Sequence, residues 1–317
     1  MLGLQDILML VVVFSSMAAG ALFPGFGSWF RSVPLPGMLG LLFLSFLSIP
    51  VSSIWQLIRK SPGSIVYLVF TKLIVLPAAV FFLFERLFPS HALAALLLSG
   101  IAPAVMSPLI AEMLSANTAF VVVGVVVSCF LIPVTLPALV KLLAGRTMFI
   151  SFAAMFRTLS LVVFIPFVLA ELLKRFSPAG ARRLLAIRYL ATLLIISMQM
   201  LGIFSGYAET FRRQASMIWI AVAVSIVLAA LYIVAGFLFS CRMPVREQLT
   251  FMISFGLINN VLAMVFAAQF FGVVEPLVAA MYMIPFWLLL VPMRMYQKLR
   301  LGPAEGAILT KTAGIKP

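Results

Sequence analysis

Long apolar runs separated by short polar stretches dominate the chain. A helix needs about 20 mainly apolar residues to cross a bilayer, and runs of this length recur along the whole sequence. The stretches between the runs are short, so no soluble domain is expected between them. The pattern predicts ten membrane-spanning helices, at Ile7–Phe23, Pro36–Ile58, Ser64–Phe84, His91–Leu114, Asn117–Leu143, Ile150–Leu173, Leu184–Gly206, Ser216–Ser240, Gln248–Gly272 and Val274–Tyr296.

The amino-acid composition excludes several classes of protein. Hydrophobic residues make up 64% of the 317 residues and charged residues 9%, whereas soluble domains are about 45–50% apolar and about 25% charged. A water-soluble enzyme and a disordered chain are both excluded on this basis. Cys129, Cys241 and the single histidine, His91, make neither a disulfide framework nor a metal cluster. With Asp6 as the only aspartate, an intramembrane enzyme is also disfavoured, and we expect no catalytic residue, metal or cofactor.

The net charge of +14 predicts orientation rather than a nucleic-acid partner. The basic residues are scattered between apolar runs and form no basic stripe. With ten spans both termini lie on one side, and thirteen loop Lys and Arg fall on that side against six on the other. Because cytoplasmic loops are rich in Lys and Arg, we expect cytoplasmic N- and C-termini in the cell (inner) membrane. The first span lacks a preceding basic flank and a cleavage signature, so it does not read as a signal peptide.

The ten spans divide into two sets of five. Residues 1–145 hold the first set, 146–300 the second, and 301–317 form a cytoplasmic tail. An odd number of spans per half inverts the second half, as in many secondary transporters. The predicted fold is therefore an all-α membrane protein built from two inverted five-helix repeats.

Matched interruptions in the two halves predict the functional site. The fourth span is broken by Gly100 and Pro103 and again at Ser107-Pro108, and the ninth by Gly256 and Asn259-Asn260. The fifth and tenth spans each contain two prolines, Pro133 and Pro137, and Pro285 and Pro292. Proline removes a backbone hydrogen bond, and backbone groups freed in lipid are tolerated only where the helix lines a cavity or is buried in protein. Corresponding breaks are therefore expected to mark the substrate site, with Pro103, Ser107, Pro108, Ser254, Gly256, Asn259 and Asn260 as candidate residues.

Two runs carry a family resemblance. Residues 99–120, SGIAPAVMSPLIAEMLSANTAF, and residues 254–263, SFGLINNVLA, resemble the two crossing motifs of the bile acid:sodium symporter family. Arsenite efflux carriers are similar at a greater distance, although the fourth span lacks their reactive cysteine. The resemblance implies a panel domain of spans 1, 2, 6 and 7 and a core domain of spans 3–5 and 8–10. It also implies substrate bound between the domains and transport by alternating access.

The family's sodium ligands are largely missing at the matching positions. The resemblance places a Ser-Asn pair at Pro108-Leu109 or Ser107-Pro108, two hydroxyls at Val122 and Val126, and a Glu and a Gln at Ser254 and Ile258. The following asparagine is kept as Asn259. Since valine and isoleucine offer no side-chain oxygen, we expect degenerate sodium sites.

Lys72 stands five residues before Pro77, where the resemblance places a sodium-binding glutamine. An ammonium is a compact point charge, so we hypothesise that Lys72 replaces the sodium ion or carries a proton. A charge inside the membrane costs about 2.5–3.5 kcal/mol on insertion scales and should meet a partner. Glu112 is the only acid near that depth in the predicted core and is the predicted partner, with a helix-end acid that reaches water as the alternative. A structural ion pair or a snorkelling side chain is the alternative for Lys72.

The predicted function is secondary active transport of a small organic anion or amphipathic solute. Proton coupling or no coupling ion is favoured over sodium. Arg157, inside the sixth span, could contact an anionic substrate, or it could line a crevice or pair with Glu171. Two alternatives stay open: a sodium-coupled symporter with rearranged ligands, and a membrane sensor that kept the fold without transporting.

Overall fold

The computed structural model describes residues 4–48, 51–145 and 151–300. Within these ranges the chain is helical and contains no strand, only one isolated β-bridge. The predicted 301–317 tail lies outside the described residues. The α-helices of the first half are α1 (Leu4–Leu22), α2 (Pro24–Gly27), α3 (Pro34–Ser48), α4 (Val51–Lys60), α5 (Pro62–Phe70), α6 (Leu76–Leu87), α7 (Ala92–Gly100), α8 (Ser107–Met113) and α9 (Thr118–Leu139).

The second half continues in the same way. Its α-helices are α10 (Phe152–Phe176), α11 (Pro178–Ala186), α12 (Arg188–Arg213), α13 (Ala215–Ser240), α14 (Val245–Gly256), α15 (Asn260–Phe270), α16 (Val274–Met281) and α17 (Met283–Leu288). Side-chain caps start several of them: Asn117 accepts a hydrogen bond from the Phe120 amide at 3.2 Å, and Asn259 accepts one from the Leu262 amide at 3.2 Å. Such caps satisfy amides that have no partner within the helix.

Six helical stretches in the described part of the chain are long and apolar enough to cross a membrane. A seventh is possible if α1 and the segment Pro24–Phe30, which are bent by 107°, count as one span. The ten spans and the inverted repeat therefore stay predictions. The six stretches are Pro62–Leu87, Thr118–Ala144, Phe152–Phe176, Arg188–Arg213, Ala215–Ser240 and Val274–Arg300.

The predicted start of the seventh span is wrong by several residues. Residues before Arg188 form a separate short helix, α11, which Ser177 and Pro178 initiate. The Ser177 hydroxyl accepts a hydrogen bond from the Gly180 amide at 3.3 Å, and proline is pre-organised for the first helical position. Arg182 and Arg183 make this segment too polar to belong to a span.

Helix contacts fall into two sets. In one set α1, α3, α10 and α12 pack on one another, and in the other α6 packs on α7, α13 on α14 and α15 on α16. Glycine allows one of the closest approaches: a methyl group on Gly236 of α13 would lie 2.8 Å from the Met252 Cα of α14. Small residues at such contacts let membrane helices pack backbone to backbone. The two sets also touch each other: α3 contacts α15, and α9, which packs on α14, contacts α10.

A π-helical turn, Thr71–Val75, interrupts the third span between α5 and α6. The Leu76 amide donates to the Thr71 carbonyl five residues back, and Pro77 immediately afterwards has no amide hydrogen to donate to Leu73. Single π-turns inside α-helices occur frequently at functional sites. This one contains Lys72.

Candidate functional site

The two broken helices meet at their breaks. α7 ends at Gly100 and α8 begins at Ser107, while α14 ends at Gly256 and α15 begins at Asn260. The linking segments are extended and antiparallel, with a β-bridge between Pro103 and Ile258. In lipid every backbone polar group must find a partner within the protein. Hydrogen bonds between the two linking segments replace helical hydrogen bonds that are lost at the breaks.

Hydrogen bonds at the crossing run in both directions. The Ala104 amide donates to the Leu257 carbonyl at 2.6 Å, and the Asn259 amide donates to the Ala102 carbonyl at 2.9 Å. The Ser107 hydroxyl donates to the same Leu257 carbonyl at 3.4 Å. The structure therefore brings Pro103, Ser107, Pro108, Gly256, Asn259 and Asn260, the residues predicted from the breaks, to one place.

Lys72 is buried beside this crossing, with 1% of its surface exposed. Its Nζ donates to the Ser99 carbonyl at 2.8 Å. Ser99 lies in the last turn of α7, where carbonyls have no partner within the helix. The Lys72 Nζ also lies 5.7 Å from the centre of the Tyr232 ring, a distance at which an aromatic face attracts a cation.

In the second broken helix a tyrosine, rather than a lysine, donates a hydrogen bond to a carbonyl at the C-terminal end of α14. The Tyr282 hydroxyl donates to the carbonyl of Gly256, the last residue of α14, at 2.9 Å. The Tyr232 and Tyr282 rings are 5.8 Å apart, so one connected cluster caps the C-terminal ends of α7 and α14. Neither tyrosine stood out in the sequence pattern. The available signal was their place inside spans, because membrane proteins concentrate tyrosine at the interfaces.

The predicted pairing of Lys72 with Glu112 is not formed among the described residues. Lys72 is buried and bonds to a backbone carbonyl, whereas Glu112 is exposed near the end of α8. Ser99, the residue that Lys72 contacts, precedes the break in the fourth span, and Glu112 follows it. The break therefore lies between Glu112 and the site of Lys72. Glu112 instead lines a cavity.

That cavity has a volume of about 1000 Å³ and lies between the two sets of helices. α3 and α12 form one wall, and α8, α15 and α17 form the other. Pro108, Asn259 and Asn260 line it, so the crossing itself contributes to its surface. The Asn260 side chain is buried, and its Oδ1 accepts no hydrogen bond from the described residues. A cleft of this size with few polar groups is typical of a small-molecule site.

Arg157 does not line this cavity; it is exposed on α10. Its alternative partner, Glu171, forms an ion pair with Lys174. Arg188, at the start of α12, lines the cavity instead. Only Ile187 separates the short helix α11 from Arg188, the first residue of α12. The apolar pattern alone gave no sign of where α12 begins.

The positions of the missing sodium ligands are apolar in the structure as well. Val122 lines the cavity, Val126 is buried, and Ile258 forms the bridge with Pro103. Ser254 is buried, and its hydroxyl makes no hydrogen bond with the described residues. Those residues also hold no group of three or more His, Cys, Asp or Glu side chains placed to bind a metal ion.

Apolar spans, paired broken helices and a cleft between two helix sets define a multi-pass membrane protein of the transporter class. The family model described as "Sodium Bile acid symporter family" matches residues 35–242, about two thirds of the chain. The chain therefore belongs to the sodium bile acid symporter family, a family of membrane transporters. Both broken-helix candidates were predicted from the sequence, but the match covers only the first of them. No curated protein matches the chain.

Proposed function

We propose that this protein is a secondary transporter of a small organic anion or amphipathic solute, without obligatory sodium coupling. Lys72 takes the place of one sodium ion in this proposal. The observation that carries it is the contact between the Lys72 ammonium and the Ser99 carbonyl beside the helix crossing.

Electrostatics at the crossing support a fixed cation there. A helix carries the equivalent of about −0.5 charge at its C-terminus, and α7 and α14 both end at the crossing. A bound sodium ion would stabilise such converging carbonyls, and an ammonium 2.8 Å from the Ser99 oxygen does the same. Lys72 also occupies the position that the family resemblance gives to a sodium-binding amide.

The position of the cavity supports substrate binding between the two sets of helices. It lies between the helix set of α3 and α12 and the set that contains the crossing. In our proposal these sets are the panel and core domains, and one rocks against the other to give alternating access. The distribution of basic residues supports cytoplasmic termini in the cell (inner) membrane.

Transport in proteoliposomes tests the proposal. A labelled organic anion or amphipathic solute, selected by its thermal stabilisation of the purified protein, should exchange across the membrane at the same rate in sodium and in potassium buffers. Lys72→Gln should reduce exchange to the level of empty liposomes, with monodispersity in detergent as the control for folding. Strict sodium dependence of the unaltered protein would favour a sodium-coupled symporter with rearranged ligands. Binding without any exchange would favour a sensor.

Lys72→Arg separates a fixed charge from a proton carrier. The guanidinium stays protonated in proteins, so it can replace a permanent cation but cannot cycle a proton. Retained exchange in Lys72→Arg indicates a fixed charge. Loss of exchange in a variant that still binds the labelled solute indicates proton transfer through Lys72.

A further inference from the structure

Two opposite charges line the cavity without neutralising each other. Glu112 lies near the end of α8 and Arg188 at the start of α12, and both side chains are exposed. Neither forms an ion pair with another described residue; the pairs found there are Lys174 with Glu171 and Arg213 with Glu209. No other charged residue lines the cavity within the part of the chain that the structure describes. One free carboxylate and one free guanidinium therefore face the same space.

The cavity lining offers both polar groups and a long apolar surface. Its polar residues include Glu112 and Arg188, Ser48 at the C-terminal end of α3, Thr192 in the first turns of α12, and Asn259 and Asn260 at the crossing. Met38 lines the cavity ten residues before Ser48, so the lining extends about 15 Å along α3 at about 1.5 Å per residue. The lining also contains the apolar and aromatic side chains of Leu42, Phe286 and Trp287.

We propose that the solute carried in this cavity is an amphipathic zwitterion, an inference that rests on the proposed transport function. Its anionic group lies against Arg188, its cationic group against Glu112, and its apolar body along α3 and α17. A solute with a single negative charge would face the Glu112 carboxylate, and one with a single positive charge would face Arg188. Like charges placed opposite each other disfavour the wrong partner, so the pair selects against both.

Three amphipaths with the same octyl chain test the proposal. They are octyl sulfobetaine, which is zwitterionic, octanesulfonate, which is anionic, and octyltrimethylammonium, which is cationic. Binding to the full chain in nanodiscs is followed by the change in tryptophan emission, since Trp287 lines the cavity, with protein-free nanodiscs as the partition control. The zwitterion should bind at least about threefold more tightly than either singly charged probe, as expected for partly exposed ion pairs.

Variants of the two charges should move this preference in opposite directions. Glu112→Gln should make octanesulfonate the tightest probe, and Arg188→Gln should do so for octyltrimethylammonium. The double variant should lose discrimination between all three. Glu85→Gln and Arg86→Gln, two exposed charges outside the cavity lining, should keep the preference of the unaltered protein.

The inference is wrong if octanesulfonate binds the unaltered protein as tightly as the zwitterion and Glu112→Gln leaves their ratio unchanged. It is also wrong if none of the three probes binds. Neither result bears on sodium independence, which the transport assay measures separately. Conversely, sodium-dependent exchange of octyl sulfobetaine would support a zwitterionic solute and contradict the proposed role of Lys72.

Discussion

The ammonium of Lys72 is held by partners that carry no formal charge. One of its three N–H groups donates to the Ser99 carbonyl, and the ring of Tyr232 lies 5.7 Å from the Nζ. A carboxylate partner would cancel the charge, whereas a carbonyl dipole and an aromatic face compensate its burial and leave it positive. A lysine in this arrangement can act as a cation towards the helix ends around it.

At the residue scale, the cap on the second broken helix gives a test of its own. Tyr282→Phe removes the hydroxyl that donates to the Gly256 carbonyl and leaves a buried acceptor without a partner. We expect a loss of about 1 kcal/mol in the free energy of unfolding, the size typical of such bonds. Chemical denaturation in mixed micelles followed by circular dichroism measures it.

Tyr67→Phe is the matched control for this variant. The Tyr67 hydroxyl also donates to a helix carbonyl, that of Phe239 at 2.9 Å, but its side chain is exposed. The expected change in stability is smaller, because a carbonyl near the surface can find another donor. Equal losses in Tyr282→Phe and Tyr67→Phe would contradict a special role for the buried cap.

At the element scale, the contact between α13 and α14 depends on the absence of a side chain at Gly236. A methyl group there would lie 2.8 Å from the Cα and 2.9 Å from the amide nitrogen of Met252. Backbone atoms cannot swing aside as a flexible side chain can, so Gly236→Ala must separate the helices. We expect a loss of about 1–3 kcal/mol from this overpacking, measured as a lower midpoint of thermal unfolding in detergent.

Gly206→Ala controls for the helix propensity of alanine. Gly206 also lies inside a long helix, α12, but a methyl group there meets nothing within 4 Å. Alanine favours the helix by about 1 kcal/mol relative to glycine, so the unfolding midpoint should stay the same or rise. A fall similar to that of Gly236→Ala would mean that the close contact is not the cause.

The elements differ in how far the sequence predicts them. Six of the ten predicted spans correspond to described helical stretches that are long and apolar enough to cross a membrane; apolar runs indicate such helices because a bilayer leaves a helix as the main way to satisfy backbone groups. The breaks were predictable from Gly100, Pro103 and Gly256, which disfavour continued helix. Three contacts were not predictable from the sequence: the bridge between Pro103 and Ile258, the bond from Lys72 to Ser99, and the place of Arg188 in the cavity lining. They depend on how helices rotate and pack over long sequence distances, which a single pattern does not specify.

At the scale of the whole molecule, the two halves are joined at the crossing through backbone groups. The amide of Ala104 and the carbonyl of Ala102, both in the first half, have their partners at Leu257 and Asn259 in the second. Each half alone would keep unpaired polar groups inside the membrane, at several kcal/mol each. The crossing therefore makes the halves depend on each other for stability.

Dividing the chain between residues 145 and 151 tests this dependence. Co-expressed halves, one with an affinity tag, should purify together and restore exchange of the labelled solute. Residues 1–145 expressed alone should be degraded or aggregate, as shown by in-gel fluorescence of a fused reporter. A stable, monodisperse first half would show that its backbone groups find partners without the second.

The bond from Ser107 to Leu257 spans 150 positions along the chain, and this distance sets a delay during biosynthesis. At about 5–20 residues added per second, the ribosome needs about 8–30 s to synthesise the 150 residues between the first break and the second. During that interval the first break has neither its final partner nor bulk water. We therefore expect the insertion machinery, or another membrane protein beside it, to shelter this segment until the second break is inserted.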